Sequence, residues 1–477
     1  MAAARCALLL VVVALGGCSG DSGGTTAPNE PPVGDPSWLA RAEQSYHEAG
    51  ARITEQKDTA QYFPDVFREI DRLKAFWAEE NATEFVDRPR ITLEQWLVLV
   101  NLGEPWRNEV SWRGGVHQRV YFLNRWGAKL AGDLWGPPDL FERPARHPAV
   151  VITDGSIQAS ARMYWWAAQT LAENGYVVLT YDVQGQGESE TYAHRPDGSV
   201  WCGGAGQPPG TPPFLKELTD CPGFPFQQPA NFGGGHIDAH NWLLSTPDAP
   251  HTFFQDGTGT ARFNPWHAYV DPAAIGAAGH SLGAAAVSFV QGHPELLREP
   301  IRATVAWDAL STCDDFGSAY EGTCDPAYAT RPSAPALNLT NDFFLPRRLS
   351  ELPDPSAALA GFELWRSAGF DTMSFALASG THLEYTLGPI LPATRYGAEV
   401  AAFYTLAFFD RYLRGDPSAS ERLLARELSI LHRDPRGAPE TAPTTLAVQE
   451  LASYLSYSAV AIDGACFRDW RYRRDRC

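Results

Sequence analysis

The residues with the most chemical potential in this chain are Gly279-His280-Ser281-Leu282-Gly283. A serine hydroxyl attacks an acyl carbon only when a positioned base takes its proton and a third group orients that base. A serine on a sharp turn from strand to helix has its hydroxyl held above the sheet edge. The flanks fit that context: residues 273–278 are small and apolar, and Ala284-Ala285-Ala286-Val287 reads as a helix start. Gly279 and Gly283 lack a Cβ, so strand and helix can close around the turn. The N–H of Leu282, at the helix N-terminus, is placed to face a developing oxyanion.

The glycine–serine motif resembles the nucleophile elbow of the α/β-hydrolases, and that resemblance implies a base and an acid downstream, in the order serine, acid, histidine. After Ser281 only His293, His382 and His432 remain. His293 is expected two or three turns into the helix that follows the serine, pointing away, and His432 falls after the last long helix. His382 lies in Ser379-Gly380-Thr381-His382-Leu383-Glu384-Tyr385, just after the last candidate strand, where an imidazole can lean over the sheet edge. Two aspartates end strands. Asp342, one strand before His382, is the preferred orienting acid; Asp308, one strand earlier, reads as a loop organiser or helix cap. The second oxyanion donor is sought in Thr153-Asp154-Gly155-Ser156-Ile157, with the N–H of Ser156 preferred and Ile157 one position on.

These residues need a scaffold. Residues 119–123 and 129–135 read as two strands around an Arg125-Trp126-Gly127 turn. Residues 147–152 form a continuous apolar run, as a strand buried on both faces would. A helix over 161–174, a strand over 176–182, and strands at 273–278, 301–308, 334–342 and 373–378 follow, closed by a helix over 400–413. Strand then helix at this rhythm predicts a mostly parallel, twisted α/β sheet flanked by helices. Residues 190–235 break the pattern as a long insertion rich in Pro and Gly. The chain therefore divides into a signal segment (1–17), a Gly/Ser/Thr/Pro-rich tether (18–37), a helical N-terminal extension (38–115), an α/β domain (116–417) and a C-terminal appendage (418–477).

The motifs resemble the α/β-hydrolase superfamily over residues 116–416. Tyr181-Asp182-Val183-Gln184-Gly185-Gln186-Gly187-Glu188-Ser189 looks like the family's fourth strand and the turn after it, with Gln184 where Arg is common. Gly279 to Gly283 matches the nucleophile elbow. Ala306-Trp307-Asp308, Asn341-Asp342 and Phe408-Phe409-Asp410-Arg411-Tyr412-Leu413-Arg414-Gly415-Asp416 are similar to secreted bacterial dienelactone-hydrolase-like and cutinase-like polyester hydrolases. That resemblance implies an α/β-hydrolase fold, a Ser281–Asp342–His382 triad and carboxylic-ester hydrolysis without a cofactor.

Composition sets the compartment and excludes some partners. The net charge of −18 argues against nucleic acid, whose phosphates need a basic face. Arg5, the apolar run 6–15 and Leu15-Gly16-Gly17-Cys18 resemble a bacterial lipoprotein signal, which implies Cys18 as the lipidated residue and a membrane anchor outside the cytoplasm. Of eight cysteines, Cys6 and Cys18 lie in that segment, which leaves six. Short loops favour the pairs Cys202–Cys221, Cys313–Cys324 and Cys466–Cys477, and none has the spacing of a metal site. The expected protein is a lipid-anchored, extracytoplasmic serine hydrolase acting on a small-molecule or polymeric ester. Its rivals are a peptidase or amidase on the same site, and a catalytically silent binding protein. The loops pinned by Cys202–Cys221 and Cys313–Cys324 are expected to wall the acyl pocket.

Overall fold

The computed structural model describes the chain from Trp112 to Cys477, without residues 113, 157–159, 196, 202–210, 218–220, 222, 224–227, 315–323, 344–355, 387–394, 426, 429–430, 433–443, 446–448, 451–454 and 470–473. The expected signal segment, Cys18, the tether and nearly all of the helical extension lie outside these residues, as do Cys202 and Ile157. Among the described residues no helix is long and apolar enough to cross a membrane.

Runs of β-branched and small apolar residues form the centre of the sheet. The strands of the main sheet are β1 (Val116–Leu123), β2 (Lys129–Gly136), β3 (His147–Thr153), β4 (Val177–Tyr181), β5 (Val270–His280), β6 (Ala303–Trp307), β7 (Ala336–Phe343) and β8 (Thr372–Thr381). The last three are β9 (Leu455–Ile462), β10 (Ala465–Asp469) and β11 (Arg474–Arg476). They form one 11-stranded sheet in the order β1-β2-β4-β3-β5-β6-β7-β8-β9-β10-β11. From β4 across to β8 every pairing is parallel. The pairs at both flanks are antiparallel.

Helices cover both faces. On one side α1 (Trp165–Glu173) and α5 (Arg395–Leu413) enclose Val150, Ile152, Trp307 and Phe375. On the other, α2 (Pro229–Leu243) and α3 (Leu282–Val290) enclose Ala149, Val151 and Ile275, with α4 (Ser356–Ser367) beyond them. Successive residues of β3 thus enter opposite cores, which is why it reads as an unbroken apolar run. Each fully buried Val or Ile there contributes about 1.5–3 kcal/mol. A mixed, mostly parallel sheet flanked by helices is the α/β architecture expected.

The register matters most for the site. Thr153 pairs with Gly279, Gly279 with Ala306, and His280 with Trp307. The ends of β3, β5 and β6 are therefore level, and each strand releases its next residue at the same carboxyl edge. The sheet order also turns at β3: the chain passes from β3 to β4 on one side, and β5 lies on the other. In open α/β sheets that crevice is where ligands sit.

The C-terminal segment differs from the expected appendage. After the short helix α6 (Ser418–Leu423), β9 pairs antiparallel with β8, and β10 and β11 extend the same sheet. Leu455, Val460 and Ile462 enter the core shared by α1 and α5. Cys313–Cys324 and Cys466–Cys477 are bonded, as local pairing predicted. Cys221 is also in a disulfide.

Candidate functional site

Ser281 stands where β5 ends and α3 begins. Its backbone has φ 55° and ψ −120°, a conformation that a residue with a Cβ rarely adopts. The turn is held from both sides. Ser281 N–H donates to the Trp307 carbonyl at 3.0 Å, and the Ser281 carbonyl accepts from Ala285 N–H at 3.0 Å. The flanking glycines are obligatory on contact grounds. A Cβ on Gly279 would run into the Gly283 carbonyl, and one on Gly283 into the Asp154 carbonyl.

His382 opens the short 3-10 turn His382–Tyr385 after β8. Its Nδ1 meets Asp308 Oδ2 at 2.6 Å. This corrects the expected partner, Asp342. Asp342 is the next-to-last residue of β7, where the pairing with β8 shifts register between Asn341 and Phe343. Asp308 is the first residue past β6, at φ 52°. Its N–H donates to Leu339 O of β7 at 2.7 Å, and Leu310 N–H donates to Asn338 Oδ1 at 3.0 Å. The loop after β6 is thereby laid over β7 toward β8, and the Asp308 carboxylate reaches His382. The side chains of His382 and Asp308 keep 12% and 18% of their surface in contact with solvent, so the pair is open at the edge.

The turn after β3 passes directly over the serine. A Cβ on Gly155 would lie 3.3 Å from Ser281 Cβ and 3.0 Å from both His280 Nδ1 and the Tyr164 hydroxyl. The Gly155–Ser156 peptide is oriented by its neighbours: Gln186 Nε2 donates to Gly155 O at 2.7 Å. In a planar trans peptide the next N–H, that of Ser156, points the opposite way. Gly155 N–H is itself committed to the Tyr164 hydroxyl at 3.0 Å. Below the turn, burial and then Asp182 push the Asp154 carboxyl well above the usual range. Burial and then Glu188 push Asp182 up to about 6. Leu282 is the first residue of α3, where N–H groups lack intrahelical acceptors.

His280 and Tyr164 belong to this site and were missed by sequence reasoning. His280 is the middle residue of the glycine–serine motif, and Tyr164 follows the turn after β3. Their meeting spans 116 positions, which no local pattern reports. The one available signal was the histidine type at the position before the serine.

The disulfide-bearing loops pack beside α3. Phe214 of the first insertion stacks against Phe289 and His293, and Lys216 lies over Tyr328 of the second loop. The two segments thus meet each other. Among the described residues no group of three His, Cys, Asp or Glu side chains is arranged to hold a metal ion.

The arrangement can therefore present a strained serine, an imidazole oriented by a carboxylate and a backbone turn over the serine, all at one sheet edge. No family model matches the chain. A 76-residue stretch is 41% identical to the "Uncharacterized protein PA2218" of Pseudomonas aeruginosa (strain PAO1), covering 15% of this chain and 19% of that protein.

Proposed function

We propose that the protein is a serine hydrolase of carboxylic esters built on the α/β-hydrolase fold, with Ser281 as nucleophile, His382 as base and Asp308 as the orienting acid. The observation that carries this reading is the His382–Asp308 contact at the same edge as a serine held at φ 55°. With Nδ1–H given to Asp308, the neutral ring carries its lone pair at Nε2, where a serine proton can be taken.

The chemistry then runs in two halves. Ser281 Oγ attacks the ester carbonyl as His382 removes its proton. The oxyanion accepts from the N–H groups of Leu282 and Ser156. The imidazolium returns the proton to the leaving alcohol, which leaves an acyl-serine. Water attacks that ester with His382 as base again, and the acid departs. Asp308 stabilises the imidazolium in both halves.

The disulfides and the Arg5 to Cys18 segment support a lipid-anchored protein outside the cytoplasm, since such bonds persist in oxidising compartments. The test of the whole reading is covalent labelling of the purified chain by a fluorophosphonate, with an ester panel of varied acyl length alongside. Labelling that maps to Ser281, with ester turnover, is expected. A folded protein that neither labels nor turns over any ester would overturn it.

A further inference from the structure

We propose that His280 is a positioning residue that holds the base turn, the oxyanion turn and the nucleophile in one register; the inference rests on the serine-hydrolase reading above. His280 sits between Gly279 and Ser281 at the end of β5, with 2% of its surface exposed. Both ring nitrogens are engaged. Nε2 lies 2.8 Å from the His382 carbonyl oxygen, and Nδ1 lies 2.8 Å from the Tyr164 hydroxyl.

Hydrogen-bond logic gives these contacts a direction. A carbonyl only accepts, so Nε2 carries the hydrogen and donates to His382 O. In the neutral ring Nδ1 is then an acceptor, and Tyr164 donates its O–H to it. The Tyr164 oxygen is left to accept the Gly155 N–H at 3.0 Å. One directed chain thus runs from the turn over Ser281, through the residue before Ser281, to the backbone of the base. Every buried polar group in it is satisfied once.

The ring also packs on the base. The His280 and His382 rings lie 4.6 Å apart between centroids at 36°. Burial and then the neighbouring His382 push the His280 imidazole well below its ordinary range, so it stays neutral. Neutrality is useful here, because a charged His280 would oppose the imidazolium that His382 must become. Trp166 Nε1 donates to Tyr385 O at 2.8 Å and steadies the far end of the same turn. A residue kept only for packing could be replaced by leucine without moving His382.

The test uses the full chain and three variants: His280→Leu, His280→Gln and Tyr164→Phe. Glutamine offers an N–H for the His382 carbonyl and an acceptor for Tyr164. His280→Leu and Tyr164→Phe should lower kcat and the fluorophosphonate labelling rate about ten- to a hundredfold, the worth of one buried hydrogen bond, with KM little changed. His280→Gln should recover most of that loss. Independently of substrate, the low-field proton NMR signal of the His382–Asp308 hydrogen bond should be lost in His280→Leu and kept in His280→Gln. Tyr164→Phe serves the same readouts if His280→Leu does not fold. Wild-type labelling and an unchanged low-field signal in the folded His280→Leu or Tyr164→Phe protein overturn the proposal. If the parent chain neither labels nor hydrolyses esters, the functional reading fails, and the NMR signal alone still decides whether His280 positions His382.

Discussion

His382 Nδ1 lies 2.6 Å from Asp308 Oδ2, although β7 stands between the strands that carry the two residues. The acid is borrowed from two strands away because its loop is tied down on β7, by Asp308 N–H on Leu339 O and Leu310 N–H on Asn338. The pair is thus set by backbone contacts that belong to neither side chain.

Replacing Asp308 with Asn should lower kcat by about three to four decades, because the imidazole loses both its tautomer control and its counter-charge. Asp342→Asn should cost far less. Side-by-side ester kinetics on the two purified variants checks this, and an inverted order would return the acid to Asp342.

Ser281→Ala should remove about three to six decades of turnover while leaving the melting temperature near that of the parent. The substitution removes a single oxygen, and the backbone strain at φ 55° is the same for Ala. Turnover close to that of the parent would exclude Ser281 as nucleophile.

Gly155→Ala should slow acylation more than it destabilises the fold. Its methyl would press on His280 Nδ1, the Tyr164 hydroxyl and Ser281 Cβ at 3.0–3.3 Å, which asks each to yield by a few tenths of an ångström. By contrast Gly283→Ala meets the Asp154 backbone carbonyl and should destabilise the whole domain by about 1–3 kcal/mol, as overpacking does. Paired phosphonate-labelling rates and thermal melts separate the two effects.

Stability should fall as pH drops from about 6.5 toward 4. Burial holds the imidazoles of His236 and His240 down at about 3 and about 4. The unfolded chain binds those protons near pH 6.5, so in this window it holds more protons than the folded chain and acid favours unfolding. Asp182, pushed up to about 6, acts in the opposite sense, because the folded chain keeps a proton that the unfolded chain has lost. Asp154, also pushed up by burial, adds to Asp182, and His280, also pushed down by burial, adds to His236 and His240, so three deeply buried imidazoles stand against two carboxyls. His240→Gln keeps a donor for Glu299 O and should relax the acid slope by about 1.4 kcal/mol per pH unit. Denaturant unfolding at pH 5, 6 and 7 measures it, and an unchanged slope would remove His240 from this account.

The serine turn and His382 were legible because both are local. A glycine–serine motif between a small apolar run and an alanine-rich helix start needs only a few residues to declare itself, and His382 directly follows a strand. Asp308 and Asp342 were not separable in that way. Each closes a strand-like run, and the choice turns on which neighbour the loop after β6 is bonded to. The insertion was bounded at residue 235, whereas α2 already starts at Pro229, whose ring suits a first helical turn. The Gly155–Tyr164–His280–His382 chain joins three segments far apart in the sequence. Such contacts exist only once the sheet has set β3, β5 and β8 at their spacings.

The pairing of β9 with β8 ties the base to the far end of the polypeptide. During synthesis from the N-terminus, β8 and the His382 turn emerge with one lateral neighbour, β7, and with a bare edge on the other side. That edge is covered only after Leu455–Ile462 has been made. Ser281 and Asp308 are thus in place, in order of manufacture, long before the strand that must hold His382 is enclosed. A chain interrupted short of β9 would carry Ser281 and Asp308 beside an unguarded edge of β8.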